Sequence, residues 1–204
     1  GAPDYTKRRF DRAQREFNYL QNRLEKVDTT SWPIYYQVDW WIIRAEMNGY
    51  DFNYRVLRPW VRDPAFYQTI WMYQSDVPAH EGPTNHGVLE FWMFDFPLNN
   101  QRTKDLADQL ETIPSFLFQA RGNLTGNARD LWVAGIENFK EQAENLKVIK
   151  EKVKKHHGNS LDGLLSTPLK TAKEANNDFI KWLEQKAPTK NGPSGIGKEN
   201  YTWY

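Results

Sequence analysis

One apolar stripe constrains this chain more than any other feature. From about Ala128 to Lys155, the residues Trp132, Ile136, Phe139, Ala143, Leu146, Ile149 and Val153 recur at steps of three and four. That spacing puts them on one side of a helix of about seven turns, with lysines and glutamates on the rest. His156-His157-Gly158 stops it. A helix of this length cannot bury its stripe against itself, so it needs long helical partners.

The chain supplies them. Ser160 reads as the cap of another long helix to about Gln185, burying Leu161, Leu164, Leu165, Ala172, Ala175, Phe179 and Leu183, with a kink expected at Pro168. Near the start, Asp4 reads as the cap of a helix carrying Phe10, Ala13, Phe17, Leu20, Leu24 and Val27 on one face. Ser31 and Pro33 open a second helix that runs to about Asn48-Gly49. That helix is apolar on most faces through Ile34, Tyr35, Val38, Trp41, Ile42 and Ala45, which predicts a central position in the core. Residues 50–75 read as short helices or turns divided by Arg58-Pro59 and Asp63-Pro64, with Asp63 as a cap before proline. Asp76 to Gly87 is a polar loop. Val88 to Phe96 has strand-like composition but is assigned to helix, because no pairing strand is evident nearby. Leu98–Leu110 and Ile113–Leu124 read as two short helices, the second starting at Pro114. The expected fold is all-α, an irregular multi-helix bundle of antiparallel helix pairs. Residues 1–187 form the helical domain, and 188–204 a Gly/Pro linker followed by the start of a further helix.

Composition narrows the partners. A net charge of +1 gives no electrostatic reason to expect nucleic acid or a membrane surface. No apolar run approaches the roughly 20 residues that a membrane helix needs. The absence of cysteine excludes disulfides, thiolate metal sites and cysteine nucleophiles. Gly1-Ala2-Pro3 reads as a trimmed or engineered start, so the lack of a signal peptide fixes no compartment. Gly192 to Tyr204 opens a new aromatic helix start that stops at Trp203 and Tyr204, which reads as a piece of a longer polypeptide.

Several motifs carry candidate chemistry, each with a plainer reading. Gly192-x4-Gly197-Lys198 matches the phosphate-loop pattern until Glu199, which replaces the magnesium-binding hydroxyl with a carboxylate that repels phosphate. A turn capping the next helix is the better assignment. His80-Glu81 and His86 pair imidazoles with a glutamate, but zinc helices use His-Glu-x-x-His, and Gly82-Pro83 breaks any helix here. A polar loop accounts for them. His156-His157 end a basic helix where cations complement the dipole, and no third metal ligand accompanies them. Asp39, Arg44, Arg55, Arg58, Arg62 and Asp63 form an ionisable group among aromatics, read either as a carboxylate-binding cluster or as ion pairs between helices. Asn123-Leu-Thr125 and Asn200-Tyr-Thr202 fit the glycosylation pattern, which is common by chance. No residue is assigned a catalytic, cofactor-binding or metal-binding role.

Two stretches carry a family resemblance. Glu46 to Tyr67, with Arg58-Pro59-Trp60, Arg62-Asp63-Pro64 and Phe66-Tyr67 as its most specific part, resembles the early segment of the bacterial domain of unknown function 885 family. Ile113-Pro-Ser-Phe-Leu117 through Asn123-Leu124, and Gly195 to Tyr201, resemble its later landmarks in the same order. The resemblance implies a largely helical, exported zinc metallopeptidase of the thermolysin-like superfamily. It also implies that the metal motif, of the type His-Glu-x-x-Pro-Gly-His, lies beyond the glycine-rich segment that ends this chain. No metal ligand or catalytic glutamate is therefore carried onto these residues. The chain is expected to be the inactive N-terminal scaffold and cleft wall of such a protein, with zinc in the intact parent and the C-terminal catalytic region as its partner. Peptide is the substrate class that this would serve. The alternative is a stand-alone helical protein-binding module.

Overall fold

The computed structural model describes residues 4–74 and 89–203. Its helices are α1 (Lys7–Glu25), α2 (Ile34–Phe52), α3 (Pro59–Arg62), α4 (Asn100–Asn123), α5 (Arg129–His157), α6 (Asp162–Lys186) and α7 (Lys198–Trp203). The fold is all-α, and among the described residues the strands are confined to Ile70–Trp71 (β1) and Leu89–Glu90 (β2). Two compact units are formed, one from Trp60–Ser194 with Gly1–Asp4, the other from Tyr5–Pro59 with Gly195–Tyr204.

In the larger unit α6 packs against both α4 and α5. The predicted stripe of α5 is its core: Trp132, Ile136, Phe139, Leu146, Ile149 and Val153 are buried. Phe139 meets Phe179 of α6 edge-on with ring centroids 4.7 Å apart, and Trp132 meets Trp182 at 5.6 Å. Asp63 caps the 3-10 turn Pro64–Tyr67 by accepting from Ala65 N–H at 2.9 Å. That turn sits against α5 because Gly135 allows it; a Cβ there would lie 2.6 Å from Pro64 Cβ.

Three local expectations are corrected. The two helices around Pro114 are one, α4, which runs through the proline. Pro114 forfeits only the bond to the Leu110 carbonyl, while Leu110, Ile113, Phe116 and Leu117 are all buried and hold the helix together across it. The segment assigned to helix after Val88 begins instead as β2, paired in parallel with β1 through Ile70↔Leu89 and Trp71↔Glu90, then turns through a 3-10 helix, Phe91–Met93. The pairing strand lies far upstream and is two residues long, too short to show alternation. The caps also shift. Thr6, whose hydroxyl accepts from Arg9 N–H, starts α1 in place of Asp4, and Ser160 donates its hydroxyl to the His157 carbonyl while α6 starts at Asp162.

In the smaller unit α1 and α2 form an antiparallel hairpin. The Phe17 and Tyr50 rings meet at a tilt with centroids 4.8 Å apart, and Trp40 Nε1 donates to the Leu24 carbonyl at 3.2 Å. α2 ends in a π turn, Asn53–Leu57, closed by Arg58 in the left-handed region at φ +46°.

Candidate functional site

The outer face of α2 is the feature that packing leaves unexplained. The helix expected at the centre of the core is exposed instead: Ile34 keeps 73% of its surface in solvent, Trp41 56% and Ile42 55%. Tyr35, Tyr36, Val38 and Ile43 are exposed too. On one side of the helix Ile34, Val38, Trp41 and Ile42 leave on the order of 450 Å² of apolar surface in water, the size of the largest patches of about 300–600 Å² on typical monomers, which are often functional. The covered side is mixed, with Trp40, Met47 and Phe52 beside polar residues. Half-buried positions of α2 include Gln37, Arg44, Asn48 and Asp51, while the exposed stripe Ile34, Val38, Trp41, Ile42 and Ala45 carries no charge. Arg44 is held over the rings of Trp40 and Trp41, 5.5 and 5.1 Å from their centroids. On α1 the expected stripe is only partly covered: Phe17 is buried and Phe10, Ala13 and Leu24 are half-buried, but Leu20 and Val27 are exposed, while Arg8, Arg12 and Arg15 are exposed on the side opposite Phe17.

A second constellation lies at the start of α5. Ser194 Oγ accepts from the Asp130 N–H at 2.8 Å, and the Gly192 carbonyl accepts from Arg129 N–H at 3.2 Å. A distant segment thereby caps a helix whose own cap position, Ala128, offers no side-chain bond. Asn127 and Asn191 exchange two bonds, Asn127 Nδ2 to Asn191 Oδ1 at 2.8 Å and Asn191 N–H to Asn127 Oδ1 at 2.9 Å. Arg62 donates to the Ser194 carbonyl at 2.8 Å. Gly192 is required by contact, since a Cβ would sit 2.5 Å from the Asn127 carbonyl oxygen. Thus the phosphate-loop-like segment serves as structure: its first half caps α5, and Gly197, at φ +84°, begins α7 by accepting from Tyr201 N–H.

The core holds a buried polar chain that sequence reasoning missed. Gln142 Oε1 accepts from Thr69 N–H at 2.7 Å and Ile70 N–H at 3.1 Å, while its Nε2 donates to Asn176 Oδ1 at 2.8 Å. Asn176 Nδ2 donates onward to the Phe139 carbonyl at 3.0 Å. A glutamine on the apolar stripe of α5 and an asparagine inside α6 were the available signals. The satisfied bonds make the group a joint between β1, α5 and α6.

The remaining candidates disperse. His80, Glu81 and His86 lie outside the described residues. His156 is exposed, and His157 Nε2 accepts from Leu98 N–H at 2.8 Å. Arg55 pairs with Asp51 of its own helix at 2.6 Å. Asp63, capping its turn, has its carboxyl pushed above the usual carboxylate range by burial, against the pull of the Ala65 N–H and Arg62. Asn123 Nδ2 donates to the Tyr67 hydroxyl and Asn200 Nδ2 to the Ile196 carbonyl, so both glycosylation-pattern amides are engaged. Among the described residues no three His, Asp or Glu side chains group as a metal site. Among them, too, no helix is long and apolar enough to cross a membrane. No family model, curated protein or solved structure matches the chain.

Proposed function

We propose that the chain is the non-catalytic helical scaffold and cleft wall of a zinc-metallopeptidase-like protein, held against a further region of the same polypeptide through α2. The observation that carries the scaffold part is the uncharged outer stripe of α2, a surface suited to burial and unsuited to water. The peptidase part is supported by the resemblance of Glu46–Tyr67, Ile113–Leu124 and Gly195–Tyr201 to the family with domain of unknown function 885. In that arrangement zinc and the catalytic groups belong to the further region, and this chain supplies rigidity. The buried Gln142–Asn176 chain and the Ser194 cap are consistent with a rigid support.

The test has two arms. In its source cells the native polypeptide, detected with an antibody against residues 1–204, is expected well above 24.1 kDa. Purified 1–204 chain is expected to hydrolyse no peptide in the presence of zinc. Hydrolysis by that chain, abolished by a chelator, refutes the reading.

A stand-alone helical binding module is the second reading, favoured by the compact, internally bonded unit Trp60–Ser194. A native mass of 24.1 kDa would put it first.

A further inference from the structure

We infer that the outer stripe of α2 receives an amphipathic helix whose own apolar stripe is edged by Lys or Arg. The inference rests on the scaffold reading and names the chemistry of what covers that face. Ile34, Val38, Trp41, Ile42, Ala45 and Gly49 follow one another at helical spacing along the exposed side. Bulk falls along this line, from isoleucine and tryptophan to alanine and glycine. A Cβ at Gly49 would meet nothing within 4 Å, so at that end a second backbone can approach closely.

Charge selects the partner. Asp39 and Glu46 are exposed and lie two turns apart, on the same edge of the stripe. Neither side chain has an ion-pair or hydrogen-bonding partner among the described residues. The basic residue at the other edge, Arg44, is occupied by the Trp40 and Trp41 rings. The charge offered to a partner is therefore acidic.

Two other occupants fit less well. In a second copy packed antiparallel about a two-fold axis, the acidic edge meets itself, placing Asp39 and Glu46 beside their own kind. An anionic membrane would be repelled by the same edge. The arginines that would attract it, Arg8, Arg12 and Arg15, lie on the far side of α1, away from the stripe. A basic-edged helix satisfies both the apolar stripe and the two carboxylates.

The experiment uses the whole 1–204 chain and two designed helical peptides sharing one leucine stripe, one edged with lysine and the other with glutamate. Binding is followed at low salt by titration calorimetry and tryptophan fluorescence. The lysine-edged peptide is expected to bind about tenfold more tightly than its twin. The double variant Asp39→Lys, Glu46→Lys is expected to exchange that preference while leaving the urea midpoint unchanged, because both positions are exposed. Equal affinities, no binding, or a preference that survives the exchange would overturn the inference. So would a sedimenting dimer that blocks both peptides, or tighter binding to phosphatidylserine vesicles than to peptide. Failure here alongside a native mass above 24.1 kDa removes the basic helix and leaves the scaffold reading standing. Peptide selectivity at a native mass of 24.1 kDa does the reverse.

Discussion

Replacing Gln142 by leucine tests whether the buried polar chain is a structural joint. Gln142 and Asn176 are both fully buried, and Gln142 makes three bonds at 2.7, 3.1 and 2.8 Å. Leucine has a similar volume but no polar atoms, so Thr69 N–H, Ile70 N–H and Asn176 Oδ1 lose their partner together. Each buried polar group left unpaired costs about 1–3 kcal/mol. The two amides share one acceptor, so the summed loss is nearer 3–5 kcal/mol, offset by about 1 kcal/mol for burying leucine in place of an amide. A net loss of about 2–4 kcal/mol remains, a large part of the 5–15 kcal/mol that holds a typical domain together. With an m-value of about 2 kcal/mol/M, the urea midpoint should fall by roughly 1–2 M. Circular dichroism during urea unfolding gives the midpoint, and hydrogen exchange at Thr69 and Ile70 gives the local effect. Gln142→Glu sharpens the test: it keeps both acceptor bonds, buries a charge and removes the donor to Asn176. It should be the less stable variant at pH 7 and recover on acidification as the carboxylate is protonated. A loss below about 1 kcal/mol for Gln142→Leu, with Thr69 and Ile70 amides still protected, would refute the reasoning.

Three further outcomes follow from the same structure. Gly192→Ala forces a Cβ to 2.5 Å from a backbone oxygen, whereas Gly195→Ala meets open space; thermal unfolding should show a loss of about 1–3 kcal/mol for the first and little for the second. Asp63→Asn keeps an acceptor for Ala65 N–H and removes a carboxylate whose folded-state pKa is raised by burial. A raised carboxyl pKa contributes stability below the unfolded value of about 3.9 that is lost as pH rises through the folded value. The variant should therefore be at least as stable as the wild type at pH 7, with its advantage closing towards pH 4, and urea titrations across that range would show the reverse if the cap's charge is what stabilises. Exchanging Ile34, Trp41 and Ile42 for glutamine should reduce dye binding and self-association while lowering stability by no more than about 1–2 kcal/mol, chiefly through the lost Arg44 contact with the Trp41 ring, because most of these side chains' surface already stands in water.

The sequence alone determined the helical class and the buried face of α5, while in α6 Leu164, read into the buried face, is exposed. Trp132, Ile136, Phe139, Leu146, Ile149 and Val153 were legible as one buried face because helical periodicity is a local property of the chain. Asp63 before Pro64 was legible for the same reason, since the cap and the turn lie within a few residues. What the pattern could not supply was anything set by distant segments. The pairing of Leu89 with Ile70, the capping of α5 by Ser194 and the joining of Gln142 to Thr69 and Asn176 each link residues far apart in the chain. The continuity of α4 through Pro114 was decided by burial on both sides of the proline, which outweighed one missing hydrogen bond. α2 shows the division most plainly. Its composition demanded burial, and composition cannot say which surface does the burying. Only the tertiary structure placed its half-buried polar positions on one side and left Ile34, Val38, Trp41 and Ile42 facing solvent, because α1 is narrow enough to cover one side of a helix and no more.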